Sequence, residues 1–478
     1  MIIIIVKKTF GDRTMNHLTR RRLLTGFAVA GAASLSDGAI GSAASRPSIA
    51  DAHSATAAPP WPPARRKAAA DKLLEYFRSL APKMLRPPQG ILRHPSISPS
   101  LPGAAYNTQL WDWDTLWTSR ALFRLADMTR DRSLFQKVCL HTQGSLLDFL
   151  DHQSEDGRIS IMIDIHNPDP FGCLKTAAPN HNNQAKPVFG QLALLISDEL
   201  KSVEWLRPRF DQLMRFYHSW ILGNQASLGL LVWGDDVAIG DDNDPTTFGR
   251  PFFSSANLLL NSLYYQDLKA AAELARRLNR PREAKRLAGM AHDQGMNIQK
   301  YCWDPRDRFY YTVDVQCVDR RAELIPWDKH EGMSMSWKCL PLRIQMFTGF
   351  LPMWAGLATS QQAELLVKEH YLNPQTFNSP YGVRSLSRQE TMYSLQFSSN
   401  PSDWLGPVWI LTNYFVWTGL KTYGYHKEAA VLADKTLRLL ADDLAKHGCL
   451  NEYYHPETGV PLGHKGFLDW NMLVLEMV

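Results

Sequence analysis

The chain has 478 residues, of which 45% are hydrophobic and 21% are charged, a balance typical of folded globular proteins and unlike that of disordered chains. Its net charge is +5, but residues 1–45 hold six Lys/Arg against two Asp, so the rest of the chain is close to neutral. A near-neutral body gives no electrostatic basis for binding nucleic acid, and we expect no such partner.

The N-terminal 45 residues have the pattern of an export signal. Arg20, Arg21 and Arg22 precede a short, weakly apolar stretch at 26–35, and small residues follow at 42–44. Twin arginines with weak hydrophobicity are typical of twin-arginine signals, and the apolar stretch is too short to span a bilayer. We therefore predict a signal at 1–45, starting from either Met1 or Met15, and a periplasmic or secreted protein that leaves the membrane once the signal is removed.

Helical periodicity dominates the remaining chain. An Ala/Pro/Ser-rich segment at 46–66 predicts a flexible linker, and one domain is predicted over 67–478. The clearest strand pattern is at 308–315, and neither βαβ alternation nor a fixed repeat is visible. These patterns predict an all-α helical toroid with a few short strands in its loops. Apolar spacing predicts helices at 67–82, 115–127, 133–152, 187–202, 206–222, 263–279, 282–300, 338–348, 360–369, 407–423 and 428–447.

Acidic and aromatic residues concentrate in three loops between these helices, at 111–115 (WDWDT), 233–250 and 451–459. Glycosidic bond hydrolysis needs one carboxylic acid and one carboxylate, and aromatic faces suit sugar rings. The acidic run at 241–244 also suggests calcium, but it lacks the alternation, central Gly and terminal Glu of an EF-hand. The six cysteines show no zinc spacing, so we expect no metal and no cofactor, while one or two disulfides stay open.

Several motifs, in one order along the chain, resemble glycoside hydrolase family 63 and its trehalase relatives, especially the compact mannosylglycerate hydrolase-like members. Residues 240–245 (GDDNDP) resemble the family's Gly-x-Asp-Asn-Ser-Pro, and residues 452–459 (EYYHPETG) resemble its Glu-x-Tyr-x-Pro-x-Thr-Gly. Residues 113–115, 186–187, 350–356, 379–387 and 404–409 match further family motifs. The resemblance implies an (α/α)6 barrel and an inverting mechanism, whose two carboxyl groups stand about 6.5–9.5 Å apart.

The resemblance makes Asp242 the general acid and Glu452 the general base. Asp241 and Asp244 are competing choices for the acid, and Glu457 is a weaker choice for the base. The sequence leaves open whether Asp112 or Asp114 caps the adjacent helix, whether Trp404 and Trp409 pack under a loop, and whether Trp470 closes the pocket or packs the last helix. His181 and His455 are expected to form loop hydrogen bonds. The predicted substrate-binding residues are Trp113, Asp114, Lys186, Asn243, Arg250, Trp404, Trp409 and Trp470.

Two departures from the family pattern lie near the predicted site. Leu405 replaces a common family Arg, and Asp244 with Thr246 and Thr247 replaces Ser-Pro-Arg surroundings, which puts the substrate in doubt more than the reaction. The main hypothesis is an exo-acting, inverting hydrolase of a small α-linked glucoside or mannoside, active as a monomer or small homo-oligomer. A polysaccharide lyase and a non-catalytic carbohydrate-binding protein are the alternatives.

Overall fold

The computed structural model describes residues 61–175, 183–316, 338–396 and 402–478. The predicted signal, most of the predicted linker and His181 lie outside these residues. The first helix starts at Pro63 rather than at the predicted residue 67. Proline is favoured in the first turn of a helix, where its missing N–H costs nothing, and Arg66 forms an ion pair with Asp434.

Helices make up most of the described chain, and most predicted helices are confirmed to within a few residues. They are α1 Pro63–Leu80, α2 Asp112–Thr129, α3 Arg132–Asp151, α4 Phe189–Leu200, α5 Phe210–Asn224, α6 Leu258–Arg277, α7 Pro281–Cys302, α8 Leu351–Trp354, α9 Ser360–Leu365, α10 Ile410–Thr422, α11 His426–His447 and α12 Val474–Met477. Short 3-10 helices lie at Ala81–Met84, Glu204–Arg209, Phe347–Phe350 and Asp469–Leu473, and a π-helical turn at Leu366–Tyr371.

These helices alternate between an inner and an outer ring. In the inner ring, α2 contacts α4, α4 contacts α6, α6 contacts α8, and α8 contacts α10. The C-terminal segment 469–477 contacts both α10 and α2, which closes the inner ring, and α1 packs against α11 in the outer ring. The inner position of α10 explains its composition, because every residue from Ile410 to Trp417 is buried.

Local signals fix several helix ends. The Asp131 side chain caps α3 by accepting from the N–H of Leu134 at 2.9 Å, and Thr359 with Gln362 forms a capping box at α9. Gly448 ends α11 with φ of 69°, a conformation that glycine adopts without a Cβ clash. Among the described residues, no helix is long and apolar enough to cross a membrane.

The strands are short and lie in the loops between helices. The predicted strand at 308–315 is two separate strands, and the predicted helix at 338–348 is wrong, since the strand Leu340–Pro341, an irregular stretch and a 3-10 helix occupy that region. Leu340–Pro341 pairs with the strand Val313–Asp314, so a partner strand overrides the local helical pattern. The strands are β1 Leu85–Arg86, β2 Ser96–Ile97, β3 Gln109–Trp111, β4 Met162–Asp164, β5 Ser255–Ala256, β6 Trp303–Asp304, β7 Phe309–Tyr310, β8 Val313–Asp314, β9 Leu340–Pro341, β10 Asn378–Ser379 and β11 Gly382–Val383.

The loops that precede the inner helices meet at one end of the ring. Trp113, at the start of α2, contacts Trp404, which precedes α10, and Trp470, at the start of the last inner segment. A Cβ on Gly240, in the loop before α6, would lie 3.0 Å from the Trp113 ring. Helix N-termini carry partial positive charge, so this end of the ring suits carboxylates.

Candidate active site

The loop between α5 and α6 carries Asp242. This side chain is half-buried, and the backbone N–H of Gly240 donates to its Oδ1 at 3.4 Å. Gly240 has φ of 107° and lies against the ring of Trp113 and the Cε atom of Lys186, so its missing side chain lets the loop approach α2 closely. The loop therefore holds Asp242 beside the start of α2.

Asn243 ties this loop to the segment that precedes α10. Its Oδ1 accepts from the backbone N–H of Trp404 at 2.7 Å, and its Nδ2 donates to Oδ1 of Asp403 at 3.1 Å. Both bonds use the amide of Asn243, so its position beside Asp242 serves to join two loops. Its predicted contact with substrate stays a prediction.

Asp241 and Asp244, the competing choices for the acid, are fully buried and hydrogen-bonded to each other. Asp244 accepts from the backbone N–H and the hydroxyl of Thr246, and from Nδ2 of Asn257 at 2.9 Å. Burial raises the pKa of both carboxyls, and repulsion from Asp244 raises that of Asp241 further. The protonated form is therefore favoured more at Asp241 than at Asp244, which accepts from several donors, and both carboxyls are buried beneath the loop.

Glu452 lies in the loop between α11 and the C-terminal segment. Its side chain is 5% exposed, and the backbone N–H of His464 donates to its Oε2 at 3.4 Å. The neighbouring Asn451 and Tyr454 both bond to Asp443 of α11, which anchors the loop. Burial is the main reason that the pKa of Glu452 is raised to about 8.

Glu452 interacts electrostatically with two other carboxyl groups. Repulsion from Asp114 and Asp242 adds to the effect of burial on its pKa. Tyr106, which is partly buried, lies close to the same carboxyl groups: burial raises the pKa of its hydroxyl, and Glu452, Asp242 and Asp114 raise it further. The structure thus brings the predicted acid, the predicted base and the predicted sugar-binding Asp114 into one cluster.

The wall of this cluster at the start of α2 is strongly acidic. Asp114 is 8% exposed, and burial raises its pKa to about 6. It is hydrogen-bonded to Asp469, whose pKa burial raises well above its usual value. Asp112 is fully buried, and its carboxylate accepts from the N–H groups of Trp113 and Lys186 at 2.6 Å each.

Lys186 reaches the same wall from the segment just before α4. Its Nζ lies 3.1 Å from Oδ1 of Asp112 and 3.3 Å from the carbonyl oxygen of Ala238, and 5.3 Å from the Trp113 ring centroid. The ammonium therefore supports Trp113 and the Asp242 loop. A direct contact of Lys186 with sugar stays a prediction.

The predicted aromatic residues form a stack. The rings of Trp404 and Trp409 are 4.0 Å apart and nearly parallel, and Tyr453 covers the other face of Trp409 at 4.5 Å. Phe347 stacks on Trp404 at 5.4 Å, so both of these indoles are largely covered by other rings. The geometry favours packing for Trp404 and Trp409, the second of the two interpretations that the sequence left open.

Trp470 packs edge-on against Trp113 and Trp409, each with ring centroids 5.8 Å apart. It therefore lies between the start of α2 and the aromatic stack. Arg250 forms an ion pair with Asp314 of β8, which engages its guanidinium, and its predicted contact with substrate stays a prediction. Among the described residues, no group of three His, Cys, Asp or Glu side chains is arranged to hold a metal ion.

Three residues of the site were missed by the sequence reasoning: Tyr106, Asp403 and Asp469. Asp469 precedes Trp470, so proximity in sequence was the one available signal. Tyr106 has φ of 68°, which is uncommon for a non-glycine residue, but this is visible only in the backbone.

The disulfides that the sequence left open involve none of four cysteines. Cys139, Cys173, Cys302 and Cys449 carry free thiols, and Cys317 lies outside the described residues.

The family model of the mannosylglycerate hydrolase MGH1-like glycoside hydrolase domain matches residues 107–469. The chain belongs to this family. The matched range contains Asp242, Glu452 and Asp114. Of the described elements, it leaves out those that precede β3 and the end of the C-terminal inner segment. The resemblance to family 63 and trehalase-like glycosidases is confirmed.

Curated relatives match parts of the chain. The probable mannosyl-oligosaccharide glucosidase of Schizosaccharomyces pombe is 25% identical over 59% of this chain and 36% of its own length. The mannosylglycerate hydrolase of Thermus thermophilus is 32% identical over 30% of this chain and 32% of its own length. The alignments thus span about a third of each of these relatives.

Solved structures share the fold. The family 63 mannosylglycerate hydrolase from Thermus thermophilus in complex with glucose has a TM-score of 0.59 and 19% identity, covering 86% of this chain and 98% of that one. Neutral trehalase Nth1 from Saccharomyces cerevisiae has a TM-score of 0.54 and 16% identity, covering 80% and 74%. The predicted (α/α)6 toroid is confirmed.

Proposed function

We propose that this chain is an exo-acting, anomer-inverting glycoside hydrolase that cleaves a small α-linked glucoside or mannoside. The observation that carries the proposal is the meeting of Asp242 and Glu452, which arrive on two loops far apart in sequence and interact electrostatically at one end of the ring. Family membership and the names of the relatives support a sugar substrate. The lyase and non-catalytic alternatives have no comparable support.

In the proposed mechanism, Asp242 protonates the glycosidic oxygen while Glu452 removes a proton from the attacking water. The bond from the anomeric carbon to the leaving oxygen breaks as the bond to water forms on the opposite face, so the anomeric configuration inverts. Asp114 is proposed to accept hydrogen bonds from hydroxyls of the sugar being released. Trp113 and Trp470 would then border that sugar.

The test is sugar release by the full chain from a panel of α-glucosides and α-mannosides that includes trehalose, kojibiose, nigerose and glycerate glycosides. We expect Asp242→Asn and Glu452→Gln each to lose at least about 100-fold in kcat, the lower range for a general acid or base. Glu155→Gln, an exposed carboxylate outside the cluster, is the matched control. Full activity in either site variant would refute the assignment.

Proton NMR of the first sugar released tests inversion, since an α-linked substrate must give the β-anomer. An unsaturated product that absorbs in the ultraviolet would favour the lyase instead. Sugar binding without release would favour the non-catalytic protein.

We also propose that the chain is exported to the periplasm by its twin-arginine segment. The support is the sequence pattern at 1–45. Cell fractionation of the wild type beside an Arg20→Lys/Arg21→Lys variant tests this, and equal export of both would contradict it.

A further inference from the structure

The last inner segment carries a buried carboxyl group that the proposed mechanism does not use. Asp469 opens the 3-10 helix Asp469–Leu473, and its side chain is fully buried. The hydroxyl of Thr118, on α2, donates to its Oδ1 at 2.6 Å. Asp469 therefore faces the helix that also carries Asp114, one turn earlier.

The hydrogen-bond partners of the second carboxyl oxygen of Asp469, Oδ2, indicate that a proton lies between two carboxyl groups. No N–H or hydroxyl donor among the described residues reaches Oδ2, and the remaining hydrogen-bond partner of the side chain is the carboxyl group of Asp114. Two carboxyl groups form a hydrogen bond only when one of them is protonated, because ionised carboxylates are acceptors alone. Two ionised carboxylates buried side by side would repel each other, and a buried oxygen without a hydrogen-bond partner would also be costly. The two carboxyl groups therefore share one proton.

The charged groups around the pair decide which carboxyl keeps the proton. Asp112 and Lys186 face Asp114; Asp112 disfavours its ionised form, whereas the hydrogen bond from Asp469 and the charge of Lys186 favour it. The charged groups that face Asp469 are the carboxyls of Asp114 and Glu452, which both disfavour its ionised form. The ionised form of Asp114 is thus better supported than that of Asp469.

The same 3-10 helix also bonds to the loop that carries Glu452. Nδ2 of Asn471 donates to the carbonyl oxygen of Asn451 at 2.8 Å and to that of Phe467 at 2.9 Å. Asn451 directly precedes Glu452. One short element therefore touches α2 beside Asp114 and the loop beside the proposed base.

We propose that Asp469 is a positioning residue that keeps its proton, donates it in a hydrogen bond to Asp114, and so holds Asp114 as an acceptor-only carboxylate turned toward the sugar. This role rests on the proposed function, since it assigns Asp114 to the released sugar. It adds to that function a second carboxyl group, which acts through Asp114 and touches no reacting atom.

Two substitutions of Asp469 in the full chain distinguish its role as a hydrogen-bond donor from a role in packing alone. Asp469→Asn keeps a donor toward Asp114, whereas Asp469→Leu has similar size and no donor. We expect Asp469→Leu to lower kcat/KM about 10- to 100-fold, as for an uncompensated buried charged acceptor, and Asp469→Asn to recover most of that loss. Equal losses in both variants would overturn the proposal.

The pH profile gives a readout that packing would not change. In the wild type, KM should rise at alkaline pH as Asp469 loses its proton and repels Asp114. The Asp469→Asn protein has no proton to lose there, so its KM should stay flat over that range. An alkaline rise in KM that is the same in both proteins would count against Asp469.

An infrared measurement tests the proton without any substrate. With the aspartate side chains labelled at the carboxyl carbon, the protonated-carboxyl absorption of the wild type at pH 7.5 should include a component that Asp469→Asn lacks, while the component from Asp241 remains in both proteins. Asp267→Asn is the matched control, because Asp267 is also fully buried but accepts from the Gln191 N–H at 2.7 Å and the Tyr217 hydroxyl at 2.8 Å. Its substitution should leave both components in place.

The two readouts keep this proposal distinct from the proposed function. An unchanged protonated-carboxyl absorption in Asp469→Asn refutes the shared proton whatever the enzyme cleaves. If the component is lost but no glycoside of the panel is cleaved, the proton assignment stands and the substrate proposal fails.

Discussion

The Nζ atom of Lys186 lies 3.1 Å from Oδ1 of Asp112, in an ion pair whose two side chains are 1% and 0% exposed. Removing one member of such a pair leaves a buried charge without its partner. We expect Lys186→Met to lower the free energy of unfolding by about 3–5 kcal/mol, measured by denaturant unfolding. Lys67→Met, which breaks the exposed pair with Asp71, should cost at most about 1 kcal/mol. A loss at Lys186 as small as at Lys67 would contradict the buried pair.

Substitutions at Gly240 and Gly249, both in the loop that carries Asp242, distinguish the effect of steric crowding from that of backbone strain. Both have positive φ, but a Cβ on Gly240 would lie 3.0 Å from Trp113, whereas a Cβ on Gly249 would meet nothing within 4 Å. We expect Gly249→Ala to cost only the strain, about 1 kcal/mol. Gly240→Ala should cost more and also lower kcat, because Asp242 must move with the loop. Similar kcat values in the two variants would show that the close approach does not position the acid.

The pKa of Glu452 sets the expected pH dependence of activity. A general base works only when it is ionised, so kcat/KM should rise with pH through a value of about 8. If Glu452 were the acid instead, kcat/KM would fall through that value. A pH series on any cleaved glycoside decides between the two roles, and a limb near the ordinary glutamate value of about 4.3 would contradict the effect of burial.

The same group also affects stability. Its pKa is raised on folding, so its contribution is fully present below the unfolded value and is lost as pH rises through about 8. Over that window the free energy of unfolding should fall by up to about 1.4 kcal/mol per pH unit from this group. Glu452→Gln should flatten the slope, which denaturant unfolding at several pH values measures. If the free energy of unfolding of Glu452→Gln depended on pH as steeply as that of the wild type, another titrating group would be responsible.

The Asp241–Asp244 pair predicts an asymmetry between two similar substitutions. Asp241→Asn keeps a donor toward Asp244, so we expect a cost below about 1 kcal/mol. Asp244→Asn places an amide among the donors of Thr246 and Asn257, and it should cost about 2–3 kcal/mol and lower kcat. Thermal unfolding and kcat of both variants are the measurements. If Asp241→Asn cost more stability than Asp244→Asn, the proton would instead be assigned to Asp244.

The sequence determined the elements that depend on nearby residues. The spacing of apolar residues within α6, α7 and α11 predicted these helices, because a helix must bury one face wherever it packs. The order of motifs also identified the family, and Asp242 and Glu452 do meet in the structure. The first helix begins before the predicted residue 67, and Arg66 within it pairs with Asp434 on α11, a contact that apolar spacing does not reveal.

Only the tertiary structure decided what each side chain faces. Trp404 and Trp409 carry the same pattern whether they bind sugar or stack on each other, and the rings that cover them come from 347 and 453. Asp114 and Asp469 look like two independent carboxylates until ring closure brings the C-terminal segment against α2. Burial, ring stacking and shared protons depend on neighbours distant in the chain, whereas helix periodicity depends on neighbours three or four residues away.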